Sequence, residues 1–205
     1  MDNSKKIDAN GYGFVDLELP SGILWATCNV GASKPSDYGL YFQWGDTKGY
    51  TKEQVGKDKK FTWVDYKFSI NENGTDFSKY TKDGETLNLK DDAAHANMGG
   101  DWHMPSPKQI RELIENTISV WTTLDDVNGM KFISQKDASR FIFIPAAGYA
   151  WDGSVQFSEC FGYVWSSMRS TYYTGSQGLD FDSEGTSLYD SGGRYEGCSV
   201  RGVIG

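Results

Sequence analysis

Between Gly162 and Gly205 the chain interleaves two kinds of residue, and that interleaving limits what it can fold into. Val164, Trp165, Leu179, Phe181, Leu188 and Val200 are apolar, and Leu179 and Phe181 keep the two-residue spacing of a strand with one buried face. From Ser166 to Glu196, Tyr, Ser and Gly fill 16 of 31 positions and Thr and Asp another six. Antibody paratopes use the same mixture of rigid amphipathic rings and small hydrogen-bonding groups. A scaffold with recognition residues threaded through it satisfies both patterns.

The remainder of the chain fits such a scaffold. A length of 205 residues, 15% of them aromatic and 24 of them Gly, suits many short strands and turns around an aromatic core. We expect a polar N-terminal tail over 1–13 and a single domain over 14–205, with the display segment at about 163–203. A net charge of -8 argues against nucleic acid, which needs clustered Lys and Arg. The run around Lys57, Lys59 and Lys60 contains Asp58 and reads as a solvated loop. No run of about 18 apolar residues is present, so membrane insertion is not expected, and Met1 to Lys6 holds no apolar stretch of a secretion signal.

Local signals place several elements. Val15, Leu17 and Leu19 alternate before a Pro20-Ser21-Gly22 turn and a second strand from Ile23 to Cys28, a hairpin signature. Asp46 to about Thr86 reads as a long excursion pinned by its aromatics. Asp91 or Asp92 caps a short helix through Ala93, Ala94 and Ala96 that Gly99-Gly100 stops. Ser106, Pro107 and Gln109 form a capping box ahead of Ile110, Leu113 and Ile114, which predicts a helix to about Asn116. Asn128-Gly129 is a favoured two-residue turn, and Arg140 to Ile144 reads as a strand.

Chemical motifs are sparse. His95 and His103 adjoin no nucleophile motif and read as hydrogen-bonded structural groups. Cys28, Cys160 and Cys198 form no Cys-x-x-Cys, and free thiols are favoured over a bridge. No cofactor is expected. The one opening is calcium, because Asp180, Asp182, Glu184 and Gly185 match the first half of a calcium loop, but its twelfth position is Ser191 instead of Glu. Asp91-Asp92 and Asp125-Asp126 have simpler uses at a helix start or a turn. Trp25, Trp44, Trp102, Trp121 and Trp165 are expected in the core. Tyr172, Tyr173 and Tyr189 lie among Ser, Thr, Gly and Asp and are expected at a recognition surface.

A series of motifs carries a family resemblance. It runs from Val15 to Ala26, through Asn29-Val30-Gly31-Ala32, Tyr41-Phe42-Gln43-Trp44-Gly45, Asp91-Asp92-Ala93-Ala94 and Gly100 to Pro105. It continues through Pro145-Ala146-Ala147-Gly148-Tyr149, Val164-Trp165-Ser166-Ser167 and Gly197 to Val203. Together these resemble the bacterial and bacteriophage branch of the formylglycine-generating-enzyme-like C-type lectin folds. That branch includes the major paralogous domain and the variable proteins of diversity-generating retroelements.

The resemblance implies an α+β, C-type lectin-like fold with two helices, a twisted antiparallel sheet core and long loops. It also implies a display segment framed by Trp165-Ser166-Ser167 and Ser199-Val200-Arg201-Gly202. By position the display residues are Met168, Arg169, Thr171, Tyr172, Tyr173, Gln177, Asp180, Asp182, Glu184, Ser187, Tyr189 and Asp190, with Leu179, Phe181 and Leu188 turned inward. The enzymatic branch needs a close cysteine pair near the C-terminus, and Cys198 stands alone.

The expectation is therefore a non-enzymatic recognition module of phage receptor-binding or cell-surface adhesin type, on a virion or a bacterial surface. Its partner would be a cell-surface protein or glycan, and a homo-oligomer within a fibre is left open. The alternatives are a structural fibre or shell domain, and an oxidase of the formylglycine-generating type.

Overall fold

A computed structural model describes residues 5–172 and 174–205. The first strands are Lys5–Ile7 (β1), Gly13–Asp16 (β2) and Leu24–Ala26 (β3). Helices Ala93–Met98 (α1) and Pro107–Asn116 (α2) follow, then Thr117–Leu124 (β4), Val127–Ser134 (β5), Phe141–Pro145 (β6), Tyr149–Trp151 (β7) and Ser154–Gln156 (β8). Gly162–Arg169 (β9), Gly175–Asp182 (β10), Gly185–Gly193 (β11) and Val203–Ile204 (β12) complete the order.

The α+β, C-type lectin-like expectation is overturned. Strand pairing takes 38% of the residues and helix 11%, in several small antiparallel sheets with, among the described residues, two α-helices. The sheets run β1-β2-β3-β12, β11-β10-β9, β4-β5-β6 and β7-β8. The reason is local. Gly99, at φ 71, ends α1 after 6 residues, and α2 turns directly into β4 after 10, so strands enclose most of the core.

Capping fixes both helices. Ser106 Oγ accepts from Gln109 N while Gln109 Oε1 accepts from Ser106 N at 2.7 Å, which satisfies amides that the first turn leaves unpaired. Asp92 caps α1 by accepting from His95 N at 2.9 Å and holds Met104 N at 2.8 Å. The hairpin read from Val15, Leu17 and Leu19 forms as β2 and β3, with all three side chains buried. Residues 5–12, expected as part of a tail, instead add β1 to that sheet, and Asp8 Oδ2 accepts from Trp102 Nε1 at 2.6 Å.

One turn lies elsewhere than expected. The β4–β5 hairpin reverses at Asp125-Asp126, both in the left-handed region (φ 51 and 63), and Asn128-Gly129 belongs to β5. Gly129 is needed there for close approach: a Cβ would lie 2.4 Å from Ile144 O.

Two main clusters make the core. One joins Val15, Leu17 and Trp25 to Ile110 and Leu113 of α2, to Phe132 and Ile144, and to Val164, Leu179 and Phe181. The other gathers Trp44, Trp102 and Trp165 with Tyr66, Phe68, Phe77 and Tyr80 from the 46–86 excursion. Regular structure in that excursion is limited to a 3-10 turn at Trp63–Asp65 and single bridges. Trp121 is half-buried, with its ring 6.5 Å from Phe181. No helix among the described residues is long and apolar enough to cross a membrane.

Three arginines are fully buried: Arg169, Arg194 and Arg201. Arg201 donates to Asn29 Oδ1 at 3.0 Å and to the carbonyls of Ala26 and Phe143 at 2.9 Å each. Arg194 lies over the Phe77 ring at 3.7 Å and donates to Tyr80 O at 2.9 Å.

Candidate functional site

Strand parity in the β9–β10–β11 sheet separates core from surface. Val164, Leu179 and Leu188 are partners in register, as are Gly162, Phe181 and Thr186. Leu179 and Phe181 are buried and Leu188 is half-buried against the same cluster, so this is the inner face, towards α2 and β5. Side chains alternate across a strand, so the next rows face away: Tyr163 with Asp180 and Ser187, then Trp165 with Gly178 and Tyr189. The Trp165 end of this outer face is covered by the aromatic cluster of the excursion, whereas the Tyr163 end opens to solvent.

The expected display residues divide accordingly. Asp180, Ser187 and Tyr189 come together on the outer face, Ser187 Oγ bonding Asp180 Oδ1 and the Tyr189 ring meeting Tyr163 edge-on at 5.9 Å. Asp182 and Glu184 are at the β10–β11 turn, where Asp182 Oδ1 accepts from Glu184 N at 2.7 Å. The segment read as half a calcium loop is thus a β-hairpin. Thr171 and Tyr172 are exposed at the β9–β10 turn, at the opposite end of the sheet. Gln177 lies at a break in register between Ser176 and Gly178, and Met168 is half-buried where a bridge pairs it with Thr86. Asp190 is half-buried, its Oδ1 enclosed without a hydrogen-bond partner among the described residues. Tyr173 lies outside the described residues.

Arg169 does not belong to the display face. It is fully buried, paired with Asp83 at 2.7 Å, and its amide donates to Glu85 O at 2.8 Å. A guanidinium enclosed by the excursion needs such a partner, and the sequence spacing contains no sign of one 86 residues away. The C-terminal frame is interior as well: Cys198, Ser199, Val200 and Arg201 are buried, which ends the accessible stretch near Glu196.

Residues outside the expected set complete the open end. A parallel bridge between Gly148 and Gly162 sets Tyr149 beside Tyr163, ring centroids 5.3 Å apart and nearly perpendicular. Phe157 stacks on Tyr149 at 6.0 Å and Phe161 on Tyr163 at 6.3 Å. The bridge between Ala150 and Gly197 turns both residues towards the Phe61 cluster and so puts Glu196 on the Tyr149 side. Phe157 and Trp151 are exposed at 52% and 45%, an aromatic margin on the surface.

Burial pushes the Glu196 carboxyl up to about 7, although the Gly193 amide pulls the other way. Burial also raises the Tyr149 phenol, helped by Glu196 and Cys198, and the Tyr163 phenol, helped by Tyr189, Cys198 and Asp180. The buried Cys198 thiol is pushed well above its ordinary value, first by burial and then by Glu196. Cys28 and Cys160 are free thiols too, and Cys160 is exposed. Each histidine has a structural contact, His95 Nδ1 to Trp102 O at 3.2 Å and His103 Nδ1 to Asp101 O at 3.0 Å.

Compared with known proteins, the chain matches no family model, no curated protein and no solved structure.

Proposed function

We propose that the chain is a non-enzymatic recognition module, of receptor-binding or adhesin type on a phage or bacterial surface, that grips a cell-surface protein or glycan through the outer face of β9–β10–β11. One observation carries this reading: Tyr163, Asp180, Ser187 and Tyr189 share a face whose opposite side is locked into the core through Val164, Leu179 and Phe181. Side chains on such a preformed backbone can engage a partner with little new ordering cost. The motif likeness to retroelement variable proteins supports the same reading. So does the burial of Cys198, since a reactive thiol is an accessible one with a lowered pKa.

The test is a binding assay against candidate host surfaces with Asp180→Ala, Ser187→Ala and Tyr172→Ala variants. We expect lost or weakened binding with melting temperatures within a few degrees of the parent. Full binding by the Asp180 and Ser187 variants would remove the outer face from the site, and full binding by the Tyr172 variant would remove the β9–β10 turn.

A further inference from the structure

Asparagine is followed by glycine at Asn10-Gly11, Asn73-Gly74 and Asn128-Gly129. Such a pair can close on itself, because no Cβ shields the glycine amide from the side-chain carbonyl beside it. The structure holds two of the three pairs shut. Asn10 Nδ2 donates to Met98 O at 3.1 Å, and Gly11 N donates to Asp8 O at 3.2 Å. Asn128 Nδ2 donates to Glu159 O at 3.1 Å, and Gly129 lies in the middle strand of its sheet between Thr122 and Pro145.

Asn73 differs at each point. It is exposed, and among the described residues its Nδ2 has no hydrogen-bond partner. Its Oδ1 accepts from Thr75 Oγ1 at 3.0 Å and from Thr75 N at 3.4 Å. Both donors therefore sit on the oxygen where negative charge gathers if a nitrogen adds to Cγ. Gly74 N has one acceptor, Asn71 O, at a long 3.5 Å. Gly74 itself is buried against Trp63, where a Cβ would come within 2.3 Å of the ring. The nucleophile is held still while the exposed side chain beside it is free to turn onto it.

The geometry points to Asn73 as a self-modifying site that converts to aspartate and isoaspartate through a succinimide. Gly74 N bonds to Asn73 Cγ, the Cγ–Nδ2 bond breaks, and the amide proton leaves with the nitrogen as ammonia. Water then opens the five-membered ring, at Cγ to give aspartate or at the main-chain carbonyl to give isoaspartate, so water is the sole co-reactant. The isoaspartate route adds a methylene to the backbone beneath Trp63. That ring meets Phe77 at 5.5 Å and Tyr195 at 4.3 Å, so the change is passed to the C-terminal segment. None of this depends on the recognition reading.

Incubation of the full chain in oxygen-18 water at pH 7 and pH 9, followed by peptide mapping with mass spectrometry, tests the assignment. We expect Asn73 to convert about tenfold or more faster than Asn10 and Asn128. Conversion should be faster at pH 9, because the attacking amide gives up its proton, and both products should carry one heavy oxygen. Thr75→Val should slow it about threefold or more, with unchanged rates at Asn10 and Asn128 reporting that the variant is folded. The Tyr195 ring resonances should move in the converted fraction. An unconverted Asn73, a similar rate at either of the other two asparagines, or aspartate without isoaspartate would overturn the site. An unchanged rate in Thr75→Val would overturn the activating role of Thr75, and unmoved Tyr195 resonances would overturn the link through Trp63.

Discussion

Arg201 Nε donates to Asn29 Oδ1 at 3.0 Å across 172 residues of sequence, inside the core. The remaining guanidinium nitrogens bond Ala26 O and Phe143 O, so one side chain ties together the N-terminal hairpin, β6 and the last segment of the chain. Burial lowers its pKa to about 10, which leaves it charged at any ordinary pH. Replacing it with Met would strand one amide oxygen and two carbonyls. Arg201→Met should therefore cost about 3 kcal/mol or more in urea denaturation. A double-mutant cycle with Asn29→Ala should give a coupling of about 1.5 kcal/mol or more; zero coupling would mean the pair is incidental.

At the β4–β5 turn the expectation is stabilisation. Asp126 sits at φ 63 with no hydrogen bond of its own among the described residues, while Asp125 accepts from Ser36 Oγ at 2.7 Å and faces Lys34. Left-handed backbone costs an ordinary residue roughly 1 kcal/mol that glycine avoids. Asp126→Gly should raise the melting temperature by a few degrees, and a lowered one would contradict the turn geometry.

Gly162 tests how tightly the inner face is packed. A Cβ there would lie 1.9 Å from the Phe181 ring, which is itself held between Trp121 and Phe132. Gly162→Ala should destabilise by about 2–3 kcal/mol through overpacking, and Phe181→Leu in the same chain should recover part of the loss. A neutral alanine variant would mean that the ring has room to move.

Glu196 gives stability a pH dependence of definite sign. Its carboxyl titrates at about 7 when folded and at about 4.3 in an unfolded chain. Between those values the folded state keeps a proton that the unfolded state has released, so stability is greatest below the lower value and falls as the pH rises through 7. Glu196→Gln should flatten that slope and add roughly 2 kcal/mol at pH 8. Denaturation midpoints at pH 5 to 8 provide the comparison, and parallel slopes for the two proteins would exclude Glu196 as the cause.

Elements with local causes could be read from sequence. The capping box at Ser106 and Gln109 needs three residues of context, the β2–β3 hairpin needs one turn, and Leu179 and Phe181 declare their face by alternation alone. The overall class could not be read this way, because how several small sheets assemble depends on pairings such as Trp25 with Val203 that carry no local mark. The Asn128-Gly129 dipeptide misled because glycine serves two purposes, and here close approach to β6 outweighed turning.

The site divides in the same manner. Asp180, Ser187 and Tyr189 follow from strand parity once Leu179 and Phe181 are placed inward. Arg169 was misplaced because its carboxylate partner comes from the excursion. Tyr149 and Tyr163 were missed because a single bridge, Gly148 to Gly162, brings them together. Aromatic density from Tyr149 to Tyr163 was the one available signal.

The acceptors around Arg201 are an amide and two peptide carbonyls, none of which gains a proton in mild acid. Asp91 is different. Burial works against its charge, yet Lys79, Tyr80 and Lys67 hold its pKa below the ordinary value, so what it contributes is lost as the pH falls. Acidification should therefore peel the aromatic excursion away first, while the clasp between Asn29 and Arg201 stays shut.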